Sequence, residues 1–281
     1  MTSLIDTTVD GHVHTRLCNH AIGEMEEYVE KAVQRGLGTI IFLEHLETDI
    51  RYQPRSWLDE EDFSYYFKEG ARLKQCYQGR IEVRLGMEVG FNPAARETIK
   101  QRLAQYPVER VGLSCHFYRH GDAHLNLLSR RRQSLDLLAS IGPDTVITSY
   151  FEALIEAVAS MDCDVLCHLD AVLRHLPGIR FNEEHQRQIL LLLDGMQAKG
   201  VALEINTSGF DYRGAAFPAP WIISEALQRG IPLLAGSDAH RPSEVARHFE
   251  QLPHYLAEIL SETTSHPPKA ERNGLFPLSS L

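Results

Sequence analysis

Asp10-Gly11-His12-Val13-His14-Thr15-Arg16-Leu17-Cys18-Asn19-His20-Ala21 sets two histidines two residues apart in a short apolar run, with a third just beyond it. Side chains alternate between faces along a strand, so on a strand His12 and His14 share one side. Two imidazoles on one face, followed by His20 in a loop, make the beginning of a metal site. The alternative is a surface cluster in a chain that carries 14 histidines. The positions of the other candidate ligands decide between the two.

Working outward from this stretch, apolar runs of strand length recur, separated by segments of helical period. The run 39–43 (TIIFL) is apolar throughout and ends in Glu44-His45. Unbroken runs of this kind suit a parallel sheet buried on both faces. Further strand-like runs lie at 81–88, 111–116, 164–168, 201–206 and 231–236. Helical spacing is read at 24–36, 62–77, 96–105, 149–160, 183–197 and 221–228. About seven strands alternating with helices imply a parallel sheet with right-handed crossovers. Eight would close a TIM-type barrel; seven predict a related α/β barrel, imperfectly closed.

The candidate ligands fall at the strand ends. His12 and His14 close the first strand, His45 the second and Glu88 the third. His116 closes the fourth, His168 the fifth, and Asp238 with His240 the last. In a parallel barrel all C-terminal ends open on one face, where active sites sit. With His20 these are nine groups, more than one zinc ion can use at about four ligands each. They suffice for two or three ions if a carboxylate bridges. Imidazole mixed with carboxylate suits zinc, iron(II) or manganese.

Composition narrows the partners. The chain has 281 residues, 43% hydrophobic and 23% charged, with a formal net charge of -10. Such acidity disfavours nucleic acid and anionic membranes. No run approaches the roughly 18 apolar residues of a membrane span, and the N-terminus lacks the order of a signal peptide, so a cytoplasmic protein is expected. The five cysteines (Cys18, Cys76, Cys115, Cys163 and Cys167) are odd in number and scattered, which fits reduced thiols. No internal linker stands out, so one domain over 1–281 is expected, with an irregular tail from about 261.

Read together, these motifs resemble the polymerase-and-histidinol-phosphatase (PHP) superfamily over roughly residues 9–245. Asp10-Gly11-His12-Val13-His14-Thr15 with Cys18 and His20 resembles its first motif, and Phe42-Leu43-Glu44-His45 its second. Gly86-Met87-Glu88, Ser114-Cys115-His116, Cys167-His168-Leu169-Asp170 and Gly236-Ser237-Asp238-Ala239-His240 resemble the later ones. One departure is Glu44, where many members carry aspartate. The order within the first motif is most similar to the PHP-type histidinol-phosphatases. The resemblance implies a distorted seven-stranded (β/α)7 barrel, TIM-like and of the PHP type, with three divalent metal ions. Carried over, one metal takes His12, His14, Glu88 and Asp238; a second shares Glu88 and adds His116 and His168; a third takes His20, His45 and His240.

The implied activity is hydrolysis of a phosphate monoester, most simply L-histidinol phosphate to L-histidinol and inorganic phosphate in histidine biosynthesis. Glu88, His116 and Asp238 are the ligands expected at the catalytic step, with a hydroxide between two metals as nucleophile. Arg16 and Arg174 follow ligand motifs and are candidates to fork onto phosphate; the alternative is a solvated surface position for each. Arg130, Arg131 and Arg132 are expected on an exposed charged face, and His120 and His124 as loop histidines. The polar stretch 118–145 is the expected substrate-facing excursion. Other readings are a PHP phosphoesterase for another small ester or nucleotide, and a non-catalytic, metal-stabilised module.

Overall fold

The fold was taken from a computed structural model, which describes residues 4–176 and 179–265. In chain order its strands are β1 (Val9–Val13), β2 (Thr39–Glu47), β3 (Glu82–Gly90), β4 (Arg110–Ser114), β5 (Phe117–His120), β6 (Ala123–Asn126), β7 (Val165–Leu166), β8 (Ala202–Asn206) and β9 (Leu233–Gly236). Seven of them form one sheet in the order β1-β2-β3-β4-β7-β8-β9, every neighbour parallel. Helices between them return the chain, among them Met25–Gln34, Glu60–Cys76, Pro143–Ser160, Glu183–Lys199 and Pro220–Gln228.

The barrel is nearly closed. Between β1 and β9 one parallel bridge joins Val13 to Ala239, with His14 N donating to Ala239 O at 2.9 Å. Asp10 reinforces this seam: its carboxylate accepts from Ser237 N at 3.0 Å and Ala246 N at 2.7 Å. The aspartate that opens the first motif therefore ties the first strand to the last.

Alternation along the strands separates two cores. On β3, Val83, Leu85, Met87 and Val89 are buried in the large outer core beneath the helices. Of the residues between them, Gly86 and Glu88 face the barrel interior, and at the lower position there is no room for a side chain: a Cβ at Gly86 would lie 2.6 Å from both Arg110 O and Leu43 Cδ2. Leu43, Val165, Cys167 and Ala202 fill that narrow axis as a separate buried cluster. Above it, in phase with Leu43 and Gly86, come His45 and Glu88, which are register partners on β2 and β3. Strand period alone delivers ligand-type side chains to the barrel's upper interior.

The stretch 118–145 is better ordered than its polarity suggests. Strands β5 and β6 pair antiparallel around Gly121-Asp122, with Gly121 at φ +59°, and a helix follows at Arg132–Ile141. The helix expected from 149 starts earlier, at Pro143, where proline suits the first turn. At the other end a helix covers Leu252–Ser265 and anchors itself through buried Leu252, Leu256 and Ile259. It carries regular structure a few residues into the tail expected to be irregular; residues 266–281 lie outside the described residues. No helix among the described residues is long and apolar enough to cross a membrane.

Candidate metal centre

Glu88 is the hub. Its Oε1 lies 3.1 Å from His116 Nε2 and 2.8 Å from His168 Nε2. Its Oε2 lies 3.5 Å from both His12 Nε2 and His14 Nε2, and 2.9 Å from His45 Nδ1. Asp238 joins from β9's end, with Oδ1 3.5 Å from His14 Nε2. At the more open edge His20 Nε2 and His240 Nε2 approach to 2.9 Å, and both fall in one ligand-sized group with His45 and Cys18. All nine candidate ligands thus meet at one mouth, in overlapping groups that share His45 and His12.

Strain marks two of them. His168 has φ +26° and Asp238 φ +50°, a region that residues with a Cβ seldom enter. Each is turned inward just past its strand, and each turn is held. Glu204 Oε2 accepts from His168 N at 2.7 Å, while Arg247 Nη2 and Nε donate to Asp238 O and Ser237 O at 2.9 Å. Such strain persists only where surroundings over-determine it, and it concentrates at functional sites.

The electrostatics are those of a cation site. Burial alone would raise the pKa of Glu88, but His116, His45 and His12 around it hold it well below the usual carboxylate range. Asp238 is likewise held well below, against burial, by His14, Arg174 and His240. His116 goes the other way. Burial opposes its charge, yet Glu88 and Glu47 hold it up to about 10.

Several atoms lie close to one another yet make no hydrogen bond. His45 Nδ1 and Nε2, His14 Nδ1, His168 Nδ1 and Glu88 Oε2 are buried without a hydrogen bond. Leaving one such group unpaired costs about 1–3 kcal/mol. His12 Nε2 also faces His14 Nε2 at 2.9 Å while His12 Nδ1 is engaged by Glu204 at 2.6 Å. Lone pairs aimed at one another and orphaned buried donors converge on common points. Imidazole and carboxylate in that arrangement fit divalent cations, and nothing in the donor set argues against them.

Above the cluster opens a cavity of about 420 Å³. Its wall carries six arginines, Arg55, Arg130, Arg131, Arg174, Arg241 and Arg247, together with the apolar Ile22, Tyr52, Pro54 and Phe117. Arg174 lines it as expected, with Nη2 3.0 Å from Asp238 Oδ2 and 3.2 Å from Ser208 Oγ. Arg16 does not line it. It is half-exposed, bonded to Glu24 and laid over Tyr65, because the short 3₁₀ turn Arg16–Cys18 points it outward. Arg130, Arg131 and Arg132 are all exposed, as expected, but the first two also line the cavity: Arg130 Nη2 donates to Tyr212 Oη at 2.6 Å and Arg131 Nη1 to Gln53 O at 3.4 Å. Arg132 lies apart from it, paired with Asp136 at 3.0 Å. His124 accepts from Arg51 N at 3.0 Å, clipping the hairpin to the loop after β2.

Two buried acids, Glu204 and Glu47, escaped the sequence reading, and Glu44 entered it only as a departure from the family pattern, without a role. Glu204 meets His12, Glu47 meets His116 Nδ1 at 2.7 Å, and Glu44 accepts from Thr15 N and Thr15 Oγ1 at 2.8 and 2.6 Å beneath His14. The signal for Glu47 was present: it follows His45 by two on the same strand, and so shares its face.

A PHP domain model matches residues 10–208. Among curated relatives, the Deinococcus radiodurans protein named Probable histidinol-phosphatase is 30% identical over 260 residues, 91% of this chain and 95% of that one. The Bacillus subtilis Histidinol-phosphatase is 29% identical over 258 residues, 86% of this chain and 96% of that one. Among solved structures, histidinol phosphate phosphatase of Lactococcus lactis, complexed with zinc, L-histidinol and phosphate, superposes with a TM-score of 0.70. It is 20% identical, and the match covers 92% of this chain and 94% of that one. At that identity the likeness speaks for the fold.

Proposed function

This chain belongs to the PHP domain family, and from that premise we propose that it hydrolyses L-histidinol phosphate to L-histidinol and inorganic phosphate. The observation that carries the reading is the cavity itself: seven of the nine ligand-type side chains line it, His12 and His14 lie buried beside them, and a cluster of arginines shares its wall. A phosphate monoester is a dianion, and in a chain of net charge -10 this is a place that welcomes one. The names of the Deinococcus and Bacillus relatives, which match along nearly their whole length, support the same substrate. So do the zinc, histidinol and phosphate in the Lactococcus structure.

The residues that would hold three divalent cations are His12, His14, Glu88 and Asp238 for one, Glu88, His116 and His168 for the next, and His20, His45 and His240 for the third. Bound there, the cations supply Lewis acidity and lower the pKa of water from 15.7 to about 7. The chain supplies the remainder. Glu88, His116 and Asp238 are assigned to catalysis because the ionised Glu88 and Asp238 and the imidazole between Glu47 and Glu88 bound the space where the phosphorus would sit. Arg174, Arg130 and Arg247 face the cavity with N–H donors suited to phosphate oxygens. Arg174 Nε is buried and unpartnered, a donor still to be satisfied. The apolar lip of Tyr52, Pro54 and Phe117 leaves room for the organic part of the ester. A cytoplasmic location is supported by five cysteines that form no disulfide.

The test is phosphate release by protein loaded with zinc, iron(II) or manganese. L-histidinol phosphate should be cleaved with the highest kcat/KM among sugar phosphates, nucleotides and amino-alcohol phosphates. Efficient cleavage of another monoester with histidinol phosphate left intact would overturn the proposal.

A further inference from the structure

The two carboxylates behind His12 and His116 are reached by the same construction, used twice. Glu204 lies on β8 and His12 on β1, with β9 between them. The Glu204 carboxylate crosses the inner face of β9 at Gly236, where an added Cβ would stand 2.1 Å from Glu204 Oε1 and 2.9 Å from His12 Cβ. Glu47 lies on β2 and His116 just past β4, with β3 between them. Its carboxylate crosses at Gly90, where a Cβ would stand 2.0 Å from Glu47 Oε1. In each case a carboxylate passes over a glycine on the neighbouring strand and takes Nδ1 of a histidine one strand further, at 2.6 and 2.7 Å.

Orientation gives this construction a purpose. With Nδ1 committed, each imidazole can present only Nε2. His12 Nε2 then faces Glu88 Oε2 and His116 Nε2 faces Glu88 Oε1, the two oxygens of the hub. We infer that Glu204 and Glu47 are positioning residues that fix the tautomer and aim of His12 and His116, and that Gly236 and Gly90 are the openings that let them through. Partners of this kind raise ligand basicity and hold ring orientation, and their loss typically lowers metal affinity by about 10- to 100-fold. Glu204 does a second task, since its other oxygen holds the strained turn at His168.

The inference rests on the metal-binding reading above, and its test reads metal rather than turnover of any ester. At Gly90 every atom a methyl group would strike belongs to the far end of Glu47, so Gly90→Ala should fold and push the carboxylate aside. At Gly236 the methyl group would meet His12 Cβ at 2.9 Å as well as the end of Glu204, so Gly236→Ala displaces the imidazole directly as well as its partner. Chelator-stripped variants are titrated with zinc against a chromophoric competitor, and thermal unfolding of the stripped proteins reports folding separately. Each glycine variant, and each of Glu204→Ala and Glu47→Ala, is expected to bind zinc about 10- to 100-fold more weakly at one or two sites. The paired variant Gly90→Ala/Glu47→Ala should be no worse than Glu47→Ala, because both lose the same contact. Nitrogen-15 spectra of the imidazoles should show His12 and His116 leaving the Nδ1–H tautomer, which a merely structural role would not cause. Should an alanine variant not fold, Glu204→Gln and Glu47→Gln keep the shape and carry the same expectation. Wild-type zinc number and affinity in the folded glutamate variants, or losses at glycine and glutamate that simply add, would overturn the inference.

Discussion

Arg16 and Arg174 follow comparable motifs, and their surroundings separate them. Arg174 is enclosed by the Tyr212 and Phe217 rings at 5.0 and 5.1 Å and faces the cavity; Arg16 faces solvent beside Glu24. Arg174→Ala should lower kcat/KM for a phosphate monoester by about 10- to 100-fold, the range of about 1.5–3 kcal/mol for a hydrogen bond to a charged group. Arg16→Ala should leave it within about twofold, as for an exposed ion pair. Steady-state kinetics of the two variants side by side checks both. His175 offers a pH test. Burial, then Arg174 and Arg130, lower its pKa from 6.5 to about 4. The native state thus excludes a proton that the unfolded chain binds, and stability is lost as pH falls from 6.5 toward 4. His175→Gln should flatten that decline, measured as melting temperature of the chelated protein between pH 7 and 5. Parallel declines in the two proteins would contradict it.

At the level of elements, β2 carries the barrel's narrowest packing. Leu43 is the only large aliphatic side chain among the four buried residues on the axis, enclosed by Gly86, Gly112 and Cys167. Leu43→Ala should destabilise the protein by about 2–5 kcal/mol in urea denaturation, since small rigid neighbours cannot collapse into the gap. The strand-and-helix alternation was readable because buried parallel strands write themselves as apolar runs, and eight of the nine candidate ligands because each sits where such a run stops; His20 lies in the loop beyond the first. Boundaries were less readable. The strand read at 164–168 pairs only over Val165–Leu166, since His168 turns away with positive φ. The hairpin of β5 and β6 announced itself only through Gly121-Asp122, a two-residue turn signal set among polar side chains that hid the strands. The arginines of the wall could not be placed, because their approach depends on how separate loops dock: Arg130 meets Tyr212 across 82 positions and Arg131 meets Gln53 across 78.

For the molecule as a whole, cations and fold should stabilise each other. Removing metal by chelation should lower the melting temperature while the far-ultraviolet circular dichroism stays native, because the outer core does not depend on the site. Metal held at 100 times its Kd adds about 2.7 kcal/mol. Loading should also release protons, since His116 is held near 10 beside Glu88 and Glu47 and must give one up to become a ligand. Zinc affinity should therefore rise with pH between 6 and 8, read by competition at fixed ionic strength. Unchanged affinity over that range would contradict the assignment of His116.

The seam between β1 and β9 has a consequence for biosynthesis. His12 and His14 leave the ribosome more than two hundred residues ahead of Asp238 and His240. The strands bearing them meet through one bridge and the carboxylate of Asp10. A nascent chain can fold its middle strands and helices in passing, but its first motif must wait, unpartnered, for the last. Of the three ligand sets, the two that need Asp238 or His240 can be completed only once translation has delivered β9, whereas Glu88, His116 and His168 leave the ribosome earlier, so loading of this enzyme would be staged along its own synthesis.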